Sequence, residues 1–284
     1  MRNFTFKGLF LTAVFMLLGC FSIQAADDDL ITRQITIKLD KAGTLPDRIG
    51  SSKKYKITNL KLVGEINGTD WNMIREMAGR DYQESSTEGN LSVLDLSEAK
   101  IVAGGDYYYY DNLFNNKVYT SNDEIGEYAF AYCSGLTSLT LPVGITSIGE
   151  FAFSGCSGLT SLTLPAGITS IGEFAFSYCS GLTSIYVYAE KVPRIGRYAF
   201  EGCASRKCTL YVPKGTYGNY RLSEFGYFEN IVEFDATGID KTTTSTDVEE
   251  VSRYSLNGQR LAVPVKGLNI VKYSDGTARK VVVK

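Results

Sequence analysis

The sequence contains no histidine. That absence removes Ser-His-Asp and Cys-His nucleophilic catalysis and most zinc sites, because these chemistries use imidazole as base or ligand. No basic block stands out and the formal net charge is only −2, so nucleic acid is not expected as a partner. After the first 25 residues no long apolar run remains, and no spanning helix is expected in the rest of the chain. Six cysteines are present, but never in the paired short spacings of zinc sites. Neither a metal nor a cofactor is expected. What is present is ordinary for a globular protein: 284 residues, 44% hydrophobic and 21% charged, enough for one or two domains with a sizeable core.

The start of the chain has the layout of a secretory signal peptide. Arg2 and Lys7 precede an uncharged apolar run from 8 to 23, and the small pair Ala25-Ala26 stands before Asp27-Asp28-Asp29. Residues 1–25 are therefore read as a signal peptide cleaved near Ala25. Leu17-Leu18-Gly19-Cys20 resembles a lipobox, which keeps a lipid anchor at Cys20 open as the alternative.

An internal repeat sets the architecture. Residues 125–147 read IGEYAFAYCSGLTSLTLPVGITS and residues 148–170 read IGEFAFSGCSGLTSLTLPAGITS, a period of 23. Further copies begin at Ile171 and Ile195. Within each unit the spacing Leu136-x-x-Leu139-x-Leu141, then Leu159, Leu162 and Leu164, alternates apolar with small polar residues, as a short strand with one buried face does. Pro142 and Pro165 end those strands because proline has no N–H to donate. Ile145, Ile148, Ala152 and Phe153 supply the other inward contacts, on a turn or short helical segment. One unit cannot bury its own Leu, Ile and Phe; stacked units bury them against each other. The expected fold is a leucine-rich-repeat solenoid of short β-strand rungs joined by turns or short helical segments.

Cys133, Cys156, Cys179 and Cys203 share one repeat position and should form an interior ladder of free thiols, acting as small hydrophobes. Cys203 and Cys208 are the one pair worth testing for a disulfide. Weaker echoes of the strand spacing, Ile57-x-x-Leu60-x-Leu62 and Leu91-x-x-Leu94-x-Leu96, precede the clear repeats. Between them residues 70–78 read as a helix, with Thr69 as N-cap and Gly79 as its stop. Residues 26–121 are taken as an irregular N-terminal cap with degenerate repeats, and residues 122–235 as the solenoid with its C-terminal cap, since bare end rungs would expose apolar core.

These units look like the BspA-like leucine-rich repeats of surface and secreted proteins of anaerobic bacteria. The segment AGTLPDRIGSSKKYKITNLKLVGEINGTDWNMIREMAG resembles the family's N-terminal region, and TLYVPKGTYGNY followed by FENIVEF is similar to its closing segment. The resemblance runs from about residue 33 to 235 and implies recognition or adhesion, including matrix-protein binding by some members. Residues 236–250 are polar and Thr-rich, a linker. Residues 251–284 then recover strand signals at 251–255, 259–262, 268–273 and 278–283. Asn257-Gly258 and Asp275-Gly276 lie between them as hairpin turns. This small antiparallel β unit resembles the C-terminal sorting domains that route cargo across the outer membrane.

The outward strand residues form the candidate ligand surface: Ser138 and Thr140, Ser161 and Thr163, Ser184 and Tyr186, then Tyr211, with Tyr188 adding to the aromatic end. Tyrosine offers large contact area at low entropy cost and a hydroxyl for orientation; equally, these rings could simply cover the last rungs. The tyrosines at 107–110 form either a second patch or an irregular loop folded onto the N-terminal cap. Glu127, Glu150 and Glu173 recur at the repeat period as a solvated column would, not as the distinct pair of acids a glycosidase needs, so no enzyme is expected. The expected role is an exported recognition or adhesion protein for an extracellular protein or glycan; the alternative is a self-assembling structural component of the envelope. Membrane association is expected only through Cys20 or C-terminal attachment.

Overall fold

A computed structural model of the chain describes residues 30–236, 250–255, 260–261, 267–273 and 278–283. The expected signal peptide with Cys20, nearly all of the linker and both expected hairpin turns of the tail lie outside the described residues.

The chain coils as a solenoid. On one side, β1 (Ile35–Leu39), β2 (Asn59–Ile66), β3 (Val93–Ile101) and β7 (Ser138–Thr140) form a parallel sheet in that order. A second parallel sheet continues it with β9 (Ser161–Leu164), β11 (Ser184–Val187), β13 (Thr209–Pro213) and β14 (Asn230–Phe234). A single backbone bond, Thr160 N–H to the Thr137 carbonyl at 3.4 Å, spans the join. Away from this face, the two-residue strands β6 (Glu124–Ile125), β8 (Ser147–Ile148), β10 (Ser170–Ile171) and β12 (Arg194–Ile195) form their own parallel sheet.

The rest of each coil is turn, not helix. Tyr128, Phe130 and Tyr132 donate N–H bonds to Glu150, Ala152 and Ser154 of the next rung, while Ala131 and Cys133 close local turns on Tyr128 and Phe130. Leu136 and Leu159, placed on the strands by their spacing, are buried on the turn just before them. Glycine stands second in each repeat, and from Gly149 onward the coils approach closely there: a Cβ on Gly149 would sit 2.5 Å from the Glu127 nitrogen.

Equivalent residues meet across the rungs. Phe130, Phe153, Phe176 and Phe200 are buried and stack in sequence, with centroids 5.4, 5.0 and 5.6 Å apart. Each such ring contributes about 1.5–3 kcal/mol by leaving water. The thiols of Cys156, Cys179 and Cys203 donate to the carbonyls of Phe130, Phe153 and Phe176. Cys208 is likewise free and buried, unbonded to Cys203.

Before the regular rungs come α1 (Leu45–Ile49), α2 (Gly68–Met77) and an antiparallel hairpin of β4 (Gly104–Asp111) and β5 (Asn116–Thr120). The α2 cap differs from expectation. Asn67, not Thr69, is the N-cap; its side chain accepts the Thr69 N–H while Asp70 accepts the Asn67 N–H. Asp70 has the reach to close this reciprocal box. Thr69 is diverted to Asp106, donating to its carboxylate at 2.9 Å and accepting its N–H at 3.0 Å. Helix α2 then satisfies carbonyls of the first regular rung. Trp71 and Arg75 both donate to the Ala129 carbonyl at 3.1 Å, and Arg75 also reaches the Tyr128 carbonyl.

The far end is closed by α3 (Tyr217–Arg221) and a 3-10 turn (Glu224–Tyr227), which set Phe225 and Phe228 against Phe200 with centroids 5.2 and 5.1 Å away. Past it, β15 (Glu250–Ser255), β16 (Arg260–Leu261), β17 (Gly267–Tyr273) and β18 (Ala278–Val283) make the expected antiparallel sheet, in the order β16-β15-β17-β18.

Candidate recognition surfaces

The strand face gathers the outward residues into registered rows. Ser161, Ser184 and Thr209 are direct neighbours across β9, β11 and β13, as are Thr163, Tyr186 and Tyr211. The hydroxyl of Ser184 donates to that of Ser161 at 3.0 Å. Ser138, Ser161 and Thr163 are exposed, whereas Thr140, Ser184, Tyr186, Tyr188 and Tyr211 are half-buried. Tyr186 and Tyr211 stack almost parallel at 4.4 Å, and the Phe234 ring meets Tyr186 and Tyr188 edge-on. Burial, and then the neighbouring Tyr211 phenol, pushes the Tyr186 hydroxyl up to about 12. From the C-terminal sheet, the Lys280 ammonium lies 4.2 Å from the Tyr188 ring centroid, so one candidate ring already has a partner within the chain.

The second tyrosine cluster resolves into inward and outward members. Tyr108 is buried and donates to the Glu127 carbonyl at 2.8 Å, and Tyr109 is buried with its hydroxyl on Glu84. Tyr107 and Tyr110 stay partly exposed on the hairpin, whose tip displays Leu113 and Phe114. Burial raises both the Tyr108 and Tyr109 hydroxyls above the ordinary phenol range.

The turn edge of the solenoid carries a feature the strand pattern does not disclose. At the residue before each ladder cysteine the backbone is left-handed in every rung: φ is 60° at Tyr132, 73° at Gly155, 57° at Tyr178 and 73° at Gly202. A side chain in that region costs about 1–2 kcal/mol, so glycine is the residue the backbone favours. Tyr128, Phe151, Phe174 and Tyr198 are also left-handed, but their rings stack on one another at 5.1, 5.0 and 5.2 Å. Tyr132 and Tyr178 have no such compensation; they are 45% and 60% exposed. The alternation AYC, SGC, SYC, EGC was the available sequence signal for this pair.

Glu127, Glu150 and Glu173 are exposed along one column. Burial, then the charges of Glu150 and Glu124, raise the Glu127 carboxyl. Burial likewise pushes the ladder thiols up, Cys133 to about 11 and Cys203 to about 12, the opposite of what a nucleophile needs. Among the described residues no cluster of His, Cys, Asp or Glu could hold a metal ion, and no helix is long and apolar enough to cross a membrane.

One main-face parallel strand per coil, a 23-residue period and a ladder of buried Leu, Phe and Cys define a leucine-rich-repeat solenoid. Its kind is given by residues 103–223, which match the family model of the BspA type leucine rich repeat region in six copies; this stretch is a BspA-type leucine-rich-repeat region. The match is narrower than the resemblance read from residue 33 to 235, leaving out β1 to β3 and the closing strand β14. No curated protein matches the chain. Among solved structures, a leucine-rich repeat protein from Bacteroides ovatus is similar at 22% identity with a TM-score of 0.36. The alignment covers 72% of this chain and 42% of that one, so the chain spans less than half of that protein's length.

Proposed function

We propose that the protein is exported and acts outside the cell as a non-catalytic recognition or adhesion module, binding a protein or a glycan through its strand face. The observation that carries this reading is the registered platform of Ser161, Ser184 and Thr209 beside Thr163, Tyr186 and Tyr211. Hydroxyls and stacked tyrosines held by adjacent backbones offer polar contacts and aromatic area at low ordering cost. Ser138 and Thr140 extend the platform toward the N-terminal end, and Tyr188 borders it.

Export is supported by the basic-apolar-small layout of residues 1–25, with lipidation at Cys20 as the alternative anchor. The C-terminal sheet is proposed as a sorting or attachment module. Absence of catalysis is supported by the lack of histidine, by buried thiols with raised pKa values, and by carboxylates arranged as a column. A depression lined by Pro193, Ile195, Leu222, Ser223 and Glu224 contributes one carboxylate, not a pair.

Multivalent display of the purified protein on immobilised matrix proteins, mucins and a glycan panel tests the reading, since avidity raises weak single-site binding to a measurable level. Saturable binding that is lost in a folded Tyr186→Ser, Tyr188→Ser, Tyr211→Ser variant is expected. Binding that survives in the variant moves the site elsewhere. No binding, with a mass that grows with concentration, favours the self-assembling envelope component instead.

A further inference from the structure

We infer that the turn edge of the solenoid binds an extended β-1,4-linked glycan, with Tyr132 and Tyr178 as stacking platforms two rungs apart. This surface is distinct from the strand face, and the inference stands or falls separately from it.

The two rings occupy positions where the left-handed backbone favours glycine, and glycine fills the same position in the alternate rungs. Stacking does not account for them. They are 45% and 60% exposed, and among the described residues neither side chain has an aromatic, ionic or hydrogen-bond partner. The glycines instead make room for them. A Cβ on Gly155 would stand 2.8 Å from Tyr132 Cδ1, and one on Gly202 would stand 2.7 Å from Tyr178 Cδ1. Each tyrosine therefore leans along the solenoid axis across the glycine of the next rung. Tyr227, 42% exposed, continues the row by donating to the Cys203 carbonyl at 2.8 Å.

Spacing selects the ligand. Stacked rings in adjacent rungs stand 5.0 Å apart, so equivalent sites two rungs apart are about 10 Å apart. An extended peptide repeats its faces every ~6.6–6.8 Å and falls out of register with such a row. An extended β-1,4-linked glycan advances about one rung per sugar and turns over at each link, so every second sugar presents the same face. That face is a patch of axial C–H groups, which packs against the electron-rich face of a tyrosine ring. Exposed Ser134, Ser157 and Ser180 add one hydroxyl per rung beside the row, and the Ser134 and Ser157 N–H groups are bonded to the carbonyls of Tyr132 and Gly155. An α-1,4-linked glucan coils and cannot keep this register.

Calorimetric titration of the full protein with chitohexaose and cellohexaose, against maltohexaose, tests the inference. A Tyr132→Gly, Tyr178→Gly variant, which installs the residue of the alternate rungs, is the matched control. We expect the β-1,4-linked hexamers to bind at least about tenfold more tightly than maltohexaose. The variant should lose about tenfold or more of that affinity while keeping its melting temperature. A Tyr132→Ser, Tyr178→Ser variant should lose binding likewise. Failure of both β-1,4-linked hexamers to bind, equal binding of maltohexaose, or undiminished binding by folded variants would overturn the inference.

Discussion

Tyrosines on the strand face and on the turn edge are the same residue type in opposite circumstances. Tyr186 and Tyr211 sit on ordinary strand backbone, half-buried, stacked at 4.4 Å and braced by Phe234. Tyr132 and Tyr178 sit on left-handed backbone, exposed and unstacked. The first pair contributes to the fold whether or not a ligand comes. The second pair is held at a conformational cost that no ring stacking or side-chain hydrogen bond among the described residues offsets. An exposed aromatic thus acquires meaning from the backbone beneath it, and strain without packing is the sharper pointer to a ligand.

Removing the scaffold that both surfaces share should have the largest effect. The thiols of Cys133, Cys203 and Cys208 are pushed by burial from 9.0 to about 11, about 12 and about 11. Because the folded state holds these protons more tightly than the unfolded chain, their contribution is intact below about pH 9. It is lost progressively as the pH rises from about 9 to the folded values, roughly 3 kcal/mol in all for Cys133 alone, most of it by about pH 11. Urea midpoints across that range should fall steeply with pH. Phe176→Ala, in the middle of the buried ladder, should cost about 3–5 kcal/mol in the same titration and loosen both surfaces together.

Smaller changes separate the regions. Trp71→Phe keeps an aromatic ring but removes the indole N–H that shares the Ala129 carbonyl with Arg75, and should cost about 1–3 kcal/mol by equilibrium unfolding. Tyr211→Ser breaks the strand-face stack and should cost about 1–2 kcal/mol. Tyr178→Gly should change stability by no more than ~0.5 kcal/mol, because relief of the left-handed side chain offsets the greater freedom of glycine in the unfolded chain.

How much of this was legible in the sequence follows from what a linear pattern can encode. Period-two alternation placed Leu139, Leu162 and Tyr186 on their correct faces, because side-chain direction in a strand depends only on parity. The identity of the α2 cap did not follow: Asn67 and Thr69 are both capping residues, and the choice is made by Asp106, far along the chain. The hairpin of β4 and β5 has no such alternation, because its tyrosines divide between core and solvent without a period. Periodicity carries no information on φ and so does not single out Tyr132 and Tyr178, although their alternation with glycine is visible in the sequence.

The comparison rests most directly on the urea midpoints of the Tyr132→Gly, Tyr178→Gly double variant and the Tyr211→Ser variant, measured beside the unaltered protein. The expected result is an unchanged or higher midpoint for the turn-edge variant and a lowered one for the strand-face variant. A turn-edge midpoint that falls as far as the strand-face one would show that Tyr132 and Tyr178 hold the fold together, and would contradict their reservation for a ligand.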